Sequence, residues 1–483
     1  MQYKWTVLTV TTVGVLMSGI DSRIVVIGIP QVAAALGADA DQAIWFTQAY
    51  IFGSTVSLLV VGRVSDMAGR VKIYTVGFAI FTVGSLLTSL SPSSNFVIAF
   101  RILQGVGSAA LFANSAAIIT DSTPHNELGL FLGINQVAFR AGAMLGLTLS
   151  GLILSVLDWR ALFYVNVPIG VFGTYWAHRR LKEVSKPERG APMDWTGFVT
   201  FSACIVLFLL ALTFAAYGTF PVEWLAALVG ASAAFLALFI RQERRVPYPL
   251  LDLKLLRIRE FTGGVVAQML NALSWGSVIL LLSLYLQLVQ GYGPLQAGLA
   301  IIPFDAAFLA VGPLSGRLSD KYGHMPFTTA GISVMSLSLL LMSSTSVSEP
   351  YATLATYLVI FGAGVGLFSS PNMSSIMGSV PPRERGVASG VRATFFNIGY
   401  VLSFNVAILV MTLAVPYSVI TQVISASNPV NVVVDKALFA KGLDYAFQVS
   451  AVINALAIAP SVLRGKRAVT YENRELPLAV EPE

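Results

Sequence analysis

Long apolar runs recur along the whole of this chain, many of them close to twenty residues long. About twenty consecutive apolar residues are needed for a helix to cross the roughly 30 Å hydrocarbon core of a bilayer. Charged residues make up 11% of the 483 residues, whereas soluble domains hold about 25%, so this chain cannot cover a water-facing surface. A transmembrane β-barrel would show alternation in segments of about ten residues, which this sequence lacks. The sequence therefore predicts an all-α polytopic membrane protein.

Fourteen membrane spans are predicted from these runs. They are residues 5–30, 43–62, 73–90, 95–119, 129–156, 161–177, 195–216, 223–241, 261–289, 296–316, 327–345, 350–378, 387–415 and 443–463. We divide the segment 194–241 at "YGTFPVE", because a single span there would invert the distribution of basic residues over the rest of the chain. The first run continues past Asp21 to Pro30 without a small-residue cleavage pattern, so we interpret it as an uncleaved span rather than a signal peptide. The loop 416–442 is expected to hold a short interfacial helix.

Basic residues are distributed unevenly between the two sets of loops. Of the 30 Lys and Arg residues, 23 fall on the side that holds both termini, three fall on the other side and four fall within spans. Because Lys and Arg stay cytoplasmic, both termini are predicted to be inside the cell, in a multi-pass protein of the plasma membrane. The net charge of +6 lies in these short loops, so it does not indicate a nucleic-acid partner. Cys204 is the only cysteine, which excludes an intrachain disulfide.

Two short charged loops have the same pattern, "GRVSDMAGR" at 62–70 and "GRLSDKYGH" at 316–324. Each copy joins the second and third spans of its own half of the chain. The repetition predicts two six-helix units, residues 1–190 and 260–464, with two inserted helices in 191–259 and a short cytoplasmic tail in 465–483. Repeats of this kind place a site at their midplane interface, where the two units can rock against each other.

The residue types in the two loops predict a conformational latch. Its members are Gly62, Asp66, Gly69, Arg70, Gly316, Asp320 and Gly323. The first glycine of each copy permits a close approach of helices, and the second permits a tight turn. Each aspartate stands just before a helix start, where it can cap that helix or bind a basic residue of a neighbouring loop.

Five stretches of the chain carry a family resemblance. They are "GIDSRIVVIGIP" (19–30), "GRVSDMAGRVK" (62–72), "RILQGVGSAA" (101–110), "WRALFYVNVPIG" (159–170) and "GYGPLQAGLAIIP" (291–303). With these stretches the sequence resembles the major facilitator superfamily, and within it the fourteen-span drug:proton antiporters. The resemblance implies two six-helix bundles plus two inserted helices, proton exchange, and a monomer. The antiporter motif Gly-Pro-x-x-Gly-Gly of the fifth span is replaced by "GAMLGL" at 142–147, and Arg23 stands where the branch has a small polar residue.

Six ionisable residues fall inside the predicted spans: Asp21, Arg23, Arg101, Arg140, Asp305 and Arg392. Each is a candidate functional residue, because an ionisable side chain in hydrocarbon costs a few kcal/mol. Asp21 and Arg101 are expected at similar depth on neighbouring helices, where they can pair. Desolvation favours a protonated carboxyl and a nearby Arg favours a charged one, so Asp21 is the first candidate for proton coupling. The alternative is a static buried ion pair between the two helices. Asp305 is the second, and Pro303 is expected to loosen the backbone beside it.

Polar residues near the middle of the fifth span predict a surface in contact with substrate, and the alternative for Arg140 is an interhelical hydrogen bond. Gln136 and Arg140 are four residues apart and therefore share one helix face. The full set predicted to line the substrate cavity is Arg101, Asn135, Gln136, Arg140 and Arg392. For Arg392, snorkelling to the cytoplasmic surface is an equal alternative. Arg23 is turned about 200° from Asp21 along the helix, and it either has a function or snorkels outward.

The leading interpretation is a secondary active transporter that exports small organic compounds by alternating access, in exchange for protons. The sequence contains neither a GxxxxGK[ST] phosphate loop nor an HExxH motif, so we expect neither an ATP-driven pump nor an enzyme, and no metal or cofactor. The alternative is a transporter of an anionic metabolite, lipid or peptide-like solute without obligatory proton exchange, because arginine is in excess within the spans. Paired repeats favour rocking over the ring-lined pore of a channel. The expected partners are a small-molecule substrate, protons and the lipid bilayer.

Overall fold

The computed structural model describes residues 3–465, apart from residues 39, 186, 188–192, 218–220, 248, 252, 293, 346, 348, 417–418 and 420–434. In this part of the chain the secondary structure is helical and no strand occurs. The helices are α1 (Tyr3–Leu36), α2 (Ala40–Ala68), α3 (Arg70–Ser89), α4 (Ser94–Ser122), α5 (Leu128–Val156), α6 (Ala161–Tyr164), α7 (Asn166–Arg180), α8 (Trp195–Tyr217), α9 (Val222–Glu243), α10 (Arg259–Trp275), α11 (Val278–Leu284), α12 (Pro294–Ala300), α13 (Ile302–Tyr322), α14 (His324–Met342), α15 (Tyr351–Gly378), α16 (Arg385–Met411), α17 (Lys436–Leu456) and α18 (Ile458–Leu463).

Each predicted span coincides with a helical segment. Among the described residues, 13 helical segments are long and apolar enough to cross a membrane. The prediction of an all-α, multi-pass membrane protein is therefore confirmed. The sixth predicted span is divided into α6 and α7, with Val165 between them in right-handed helical conformation (φ −59°, ψ −29°). Pro168 has no N–H to donate to the carbonyl of Tyr164, which accounts for the local break.

The division of residues 194–241 into two helices is also confirmed, because α8 and α9 are separate helices that pack against each other. A continuous helix through this segment would have left the second charged loop on the opposite side of the bundle from the first. Instead, α8 ends at Tyr217 and α9 begins at Val222.

The last span begins earlier than predicted. Helix α17 starts at Lys436 rather than at 443, since the carboxylate of Asp435 accepts hydrogen bonds from the first free N–H groups, at 3.0 and 3.2 Å, and so caps the helix. Lys441, which the sequence places in a loop, is therefore helical, and Asp444 lies within the helix. The interfacial helix predicted in 416–442 falls mostly outside the described residues.

The helices form two groups. Helices α1–α7 pack mainly among themselves, and so do α10–α18, whereas α8 and α9 form a hairpin in which α8 touches α2 and α16. Contact between the two groups is concentrated in two helix pairs, α2 with α16 and α5 with α13. We call these pairs the α2–α16 seam and the α5–α13 seam. They are related by the internal repeat, because α2 and α13 are the helices that end in the charged loops.

Candidate functional site

Asp66 lies in the last turn of α2 and caps a helix of the other group. Its Oδ1 accepts a hydrogen bond from the N–H of Gly386 at 3.1 Å, and its Oδ2 accepts one from the N–H of Val387 at 3.0 Å. Both donors belong to the first turn of α16, where backbone N–H groups lack helical partners and the helix dipole favours a negative charge. The prediction that Asp66 caps the helix that follows it is wrong, because α2 continues to Ala68 and turns the carboxylate towards α16.

Arg70 connects Asp66 to two further elements. Its guanidinium donates to Asp66 Oδ1 from Nε at 3.0 Å and from Nη2 at 2.8 Å, contacts Asp121 at the end of α4, and donates to the carbonyl of Pro382 at 2.5 Å. From the other helix group, Arg385 donates to Asp121 Oδ1 at 3.1 Å. Two buried carboxylates and two buried guanidinium groups therefore compensate one another at the α2–α16 seam. Of these four residues, the sequence analysis missed Asp121 and Arg385.

Asp320 makes the corresponding contact at the α5–α13 seam. Its two carboxylate oxygens each lie 3.0 Å from the backbone nitrogen of Gly129, and Oδ2 lies 3.4 Å from that of Leu130. Both N–H groups belong to the first turn of α5. As with Asp66, the capped helix belongs to the opposite group, so the predicted cap of the following helix is wrong here too. At the position of Arg70 the second copy has His324, so the two contacts differ in the charges around them.

Glycines allow the helices to meet at both seams. A Cβ added to Gly62 would lie 2.6 Å from the carbonyl oxygen of Gly386, and one added to Gly316 would lie 2.3 Å from the carbonyl oxygen of Gly129. Real Cβ atoms do not approach backbone oxygen so closely, so any larger residue would push the paired helices apart. The predicted close approach is therefore present, and it joins the two helix groups.

The turn after each charged segment also requires glycine. Gly69, between α2 and α3, has φ +109°, and Gly323, between α13 and α14, has φ +89°. Residues with a Cβ rarely adopt this left-handed region. The tight turns predicted at these two positions are present.

Asp21 lies fully buried in α1, where three side chains donate hydrogen bonds to its carboxylate. Arg101 Nη1 lies 2.6 Å from Oδ2, and Gln104 Nε2 and Asn166 Nδ2 each lie 2.9 Å from Oδ1. The predicted pairing of Asp21 with Arg101 is therefore present. Because α1, α4 and α7 all supply members, binding of a proton to Asp21 would weaken contacts between three helices at once.

Gln104 and Asn166 are site residues that the sequence analysis did not single out. The spacing could have identified Gln104, since it lies three residues after Arg101 and so shares its helix face. Asn166 follows the break between α6 and α7, and its Nδ2 also lies 3.2 Å from Ser85 Oγ on α3. The contact of Asn166 with Asp21 depends on how α7 packs in the bundle, and the sequence around Asn166 does not indicate this packing.

Arg101 is 1% exposed, because its own helix and the neighbouring helices α1, α2 and α6 enclose it. Its Nε donates to the carbonyl of Phe46 at 3.0 Å, and its Nη1 donates to Gln104 Oε1 at 2.8 Å. The guanidinium also lies 4.5 Å from the ring centre of Tyr50 and 5.8 Å from that of Phe163. These contacts fix the plane of the guanidinium, so Arg101 positions Asp21 rather than lining an open surface.

Arg140 extends from α5 to the other helix group. Three aromatic rings of that group surround its guanidinium: Trp275 at 4.6 Å, Phe308 at 4.8 Å and Phe304 at 5.3 Å from the ring centres. Asp305 and Arg23 interact electrostatically with Arg140. No direct ion pair joins these three charged residues in the described part of the chain. Arg23 thus belongs to the same electrostatic group as Asp305, although it lies on α1.

Asp305 lies in the first turn of α13, where a carboxylate complements the helix dipole. The helix before it ends at Ala300, and Ile301 separates the two. Pro303 removes a backbone donor at this point, so the loosening predicted beside Asp305 is present as a break. Asp305 therefore stands next to an irregular stretch of backbone and near Arg140.

Asn135 and Gln136 make contacts on different sides of α5. Asn135 Oδ1 accepts a hydrogen bond from Ser115 at 3.1 Å within its own helix group. Gln136 Nε2 lies 2.9 Å from Met373 Sδ on α15, across the boundary between the groups. The contact of Gln136 joins the two helix groups, so a movement of one group against the other would change it, whereas the contact of Asn135 would stay as it is.

Arg392 is 2% exposed, so the alternative that it snorkels to the surface is wrong. The residue lies less than two turns into α16, where α2 and α4 enclose the helix. Its guanidinium lies 5.4 Å from the ring centre of Phe112 on α4. Its Nε and Nη2 atoms are buried without a hydrogen-bond partner among the described residues.

Comparisons with known proteins agree with this architecture. The sequence model of the Major Facilitator Superfamily matches residues 11–404. The riboflavin transporter RibZ of Clostridioides difficile (strain 630) is 33% identical over 402 residues, which are 83% of this chain and 87% of the relative. The multidrug resistance protein Stp of Mycobacterium tuberculosis (strain ATCC 25618 / H37Rv) is 30% identical over 404 residues, 83% and 74% of the two chains. The crystal structure of a double Trp mutant of XylE superposes with a TM-score of 0.66 at 16% identity and covers 97% of each chain.

Proposed function

This chain belongs to the major facilitator superfamily of membrane transporters, and we propose that it exports small organic compounds by alternating access, in exchange for protons. The observation that carries the proposal is the pair of carboxylate contacts at the two seams, Asp66 on α16 and Asp320 on α5. Each joins the helix groups by hydrogen bonds to a helix N-terminus, so a rocking motion can break both together without disrupting either group.

In this proposal residues 1–190 and 260–464 are the two moving units, and 191–259 supply the inserted helices. Both termini and the two charged loops face the cytoplasm. The contacts of Asp66 and Asp320 then close the cytoplasmic end of the pathway, and the structure corresponds to the state in which that end is shut. Opening it requires the two seams to separate.

We assign proton coupling to Asp21, with Asp305 as the second carrier. A proton on Asp21 removes the negative charge that compensates the buried guanidinium of Arg101, and an uncompensated buried charge is strongly unfavourable. The network must then rearrange or admit a new anion or water. Protonation thereby becomes coupled to the packing of α1, α4 and α7.

The relatives support organic compounds as the transported class. One is named as a multidrug resistance protein and another as a riboflavin transporter. In this chain the three rings around Arg140 would offer flat apolar surfaces to such a compound, and stacking on aromatic rings is an ordinary way to hold one. We propose that the transporter acts as a monomer in the plasma membrane.

A second candidate function is transport of an anionic solute without obligatory proton exchange. The observation that favours it is Arg392, a buried cation with no acidic partner in the part of the chain that the structure describes. The first candidate requires a proton gradient to drive transport and the second does not. The dependence of the transport rate on an imposed proton gradient therefore distinguishes them.

The test uses the full-length protein in proteoliposomes with an imposed proton gradient and three fluorescent probes: ethidium, riboflavin and the organic acid fluorescein. We expect gradient-driven movement of at least one probe by the wild type, and a rate at least tenfold lower for Asp21→Asn with binding of the probe retained. Asp158→Asn is the matched control, because Asp158 is an exposed carboxylate in a loop. Equal gradient-driven rates for Asp21→Asn and Asp158→Asn would refute coupling at Asp21. Asp305→Asn, measured in parallel, tests the second carrier.

A further inference from the structure

Arg392 differs from three other buried arginines of the chain, Arg70, Arg101 and Arg385. Arg70, Arg101 and Arg385 each form an ion pair with a buried aspartate. Arg392 has none, and no acidic side chain acts on it electrostatically in the described ranges. A buried guanidinium of this kind is costly unless a negative group compensates it. The cation–π contact with Phe112 at 5.4 Å offsets only part of this cost.

A second donor on the same helix face also lacks a partner. Ser389 lies three residues before Arg392, is fully buried, and has an Oγ with no hydrogen-bond partner among the described residues. Side chains of an α-helix lean towards its N-terminus, so the guanidinium extends over the turn that contains Ser389. Two unsatisfied groups on neighbouring turns can thus donate to one acceptor.

The chemistry of these donors selects the acceptor. The planar fork of a guanidinium matches the paired oxygens of a carboxylate or phosphate, and a hydroxyl can add a third hydrogen bond. Phe112 provides an apolar face beside the charged group. A ligand with an acidic group attached to an apolar or aromatic body satisfies all three features.

The position of the two donors places them where the helix groups meet. A Cβ added to Gly390, between Ser389 and Arg392, would lie 2.6 Å from the carbonyl oxygen of Leu58 on α2. Helix α16 is therefore pressed against α2 here, with Phe112 of α4 beside it. Both helix groups contribute walls, so any motion that separates the α2–α16 seam changes access to Arg392.

We propose that the transported compound carries an anionic oxygen group, a carboxylate or a phosphate, and that Arg392 and Ser389 bind this group beside Phe112. The inference rests on the proposed transport function and narrows it to organic acids. A phosphate could also belong to a lipid headgroup, so the experiment includes an arm that separates a lipid from a soluble acid.

The first test needs no ligand. If Arg392 lacks a compensating anion in the folded protein, Arg392→Met removes an uncompensated buried charge. The purified full-length variant in detergent should then unfold at or above the wild-type temperature. Arg101→Met is the matched comparison, because it breaks an existing ion pair with Asp21 and should lower the unfolding temperature. A decrease for Arg392→Met comparable to that for Arg101→Met would show a structural role and overturn the proposal.

The second test uses matched aromatic probes: benzoate, phenyl phosphate and the neutral isostere benzamide. We expect the two anions to raise the unfolding temperature of the wild type more than benzamide does, and we expect Arg392→Gln to weaken their binding at least tenfold. Arg160→Gln, which removes an exposed positive charge, should respond as the wild type does. Equal effects of benzoate and benzamide on the wild type would overturn the proposal. Stabilisation by phosphatidylglycerol in the micelle, with no effect of either soluble anion, would assign the site to a lipid and would also overturn it.

Transport measurements distinguish a failure of the anion site from a failure of the proposed export function. If Arg392→Gln exports ethidium, riboflavin and fluorescein at the wild-type rate and shows no loss of benzoate binding, export stands and the anion site does not. A second outcome is that a proton gradient drives no movement of any probe, in the wild type or in the variant, while benzoate binding still depends on Arg392. In that case the anion site stands and proton-driven export does not.

Discussion

The two carboxylate oxygens of Asp320 each lie 3.0 Å from the backbone nitrogen of Gly129, a residue 191 positions earlier in the chain. Asp66 makes the same kind of contact with Gly386, 320 positions later. The internal repeat therefore produces two reciprocal crossings, in which each helix group caps a helix of the other. Because both crossings lie at one end of the bundle, that end can open only if both break.

The glycine at the α5–α13 seam should be essential for transport. A Cβ on Gly316 would lie 2.3 Å from the carbonyl oxygen of Gly129, so Gly316→Ala should separate α13 from α5 and lower the initial transport rate in proteoliposomes at least tenfold. Gly298→Ala is the control, since a Cβ at Gly298 meets nothing within 4 Å and alanine favours a helix. Equal rates for the two variants would contradict the prediction.

Replacing the carboxylate of Asp66 should lower the thermal stability more than replacing that of Asp320. Asp66→Asn breaks a buried ion pair with Arg70, which costs on the order of 3 kcal/mol. Asp320→Asn keeps an oxygen that can cap the helix and loses only the interaction of the charge with the helix dipole, which contributes about 0.5 kcal/mol. Thermal unfolding in detergent should therefore show the larger decrease in midpoint for Asp66→Asn. A larger decrease for Asp320→Asn would mean that the charges around Arg70 contribute little.

Lysine should not replace Arg140. The guanidinium of Arg140 lies against three rings, with Trp275 at 4.6 Å, and an ammonium group is neither planar nor able to stack in this way. We expect Arg140→Lys to lower the transport rate about tenfold while folding is retained in size-exclusion chromatography. Arg179→Lys is a matched control, because Arg179 lies over Tyr175 at 5.7 Å on an exposed part of α7. Similar losses in both variants would indicate a general effect of the substitution.

The two charged loops should be accessible from the same side of the membrane. In a Cys204→Ser background, Lys72→Cys and Lys321→Cys should react with a membrane-impermeant maleimide in inside-out vesicles, and Asp158→Cys should react in right-side-out vesicles. The expectation follows from α5, whose 29 residues extend about 43 Å between the Asp320 contact and Asp158. Labelling of Lys72→Cys and Lys321→Cys from opposite sides would contradict the proposed topology.

Much of the fold could be predicted from the sequence, because the bilayer forces backbone polar groups to bond within each span. Long apolar runs therefore determine helices almost independently of their neighbours, and the predicted spans coincide with helical segments. The repeat of "GRVSDMAGR" as "GRLSDKYGH" likewise located both seam-forming helices. The errors lie at helix ends, as at Asp435, where a side-chain cap extends a helix beyond its apolar core.

The candidate site could be predicted only in part. Asp21 and Arg101 are charged residues within long apolar runs, so the sequence alone identifies them as unusual. Asn166, Asp121 and Arg385 sit close to helix ends, where polar residues are common, so their burial gives no local signal.

The sequence by itself determined that this is an all-helical membrane protein with a duplicated charged loop, because hydrophobicity and repetition are properties of the chain alone. Only the tertiary structure decided which helix each aspartate caps and which buried arginine lacks an acidic partner among the residues that the structure describes. These relationships depend on distances between residues hundreds of positions apart, and they arise only when the two helix groups are packed against each other.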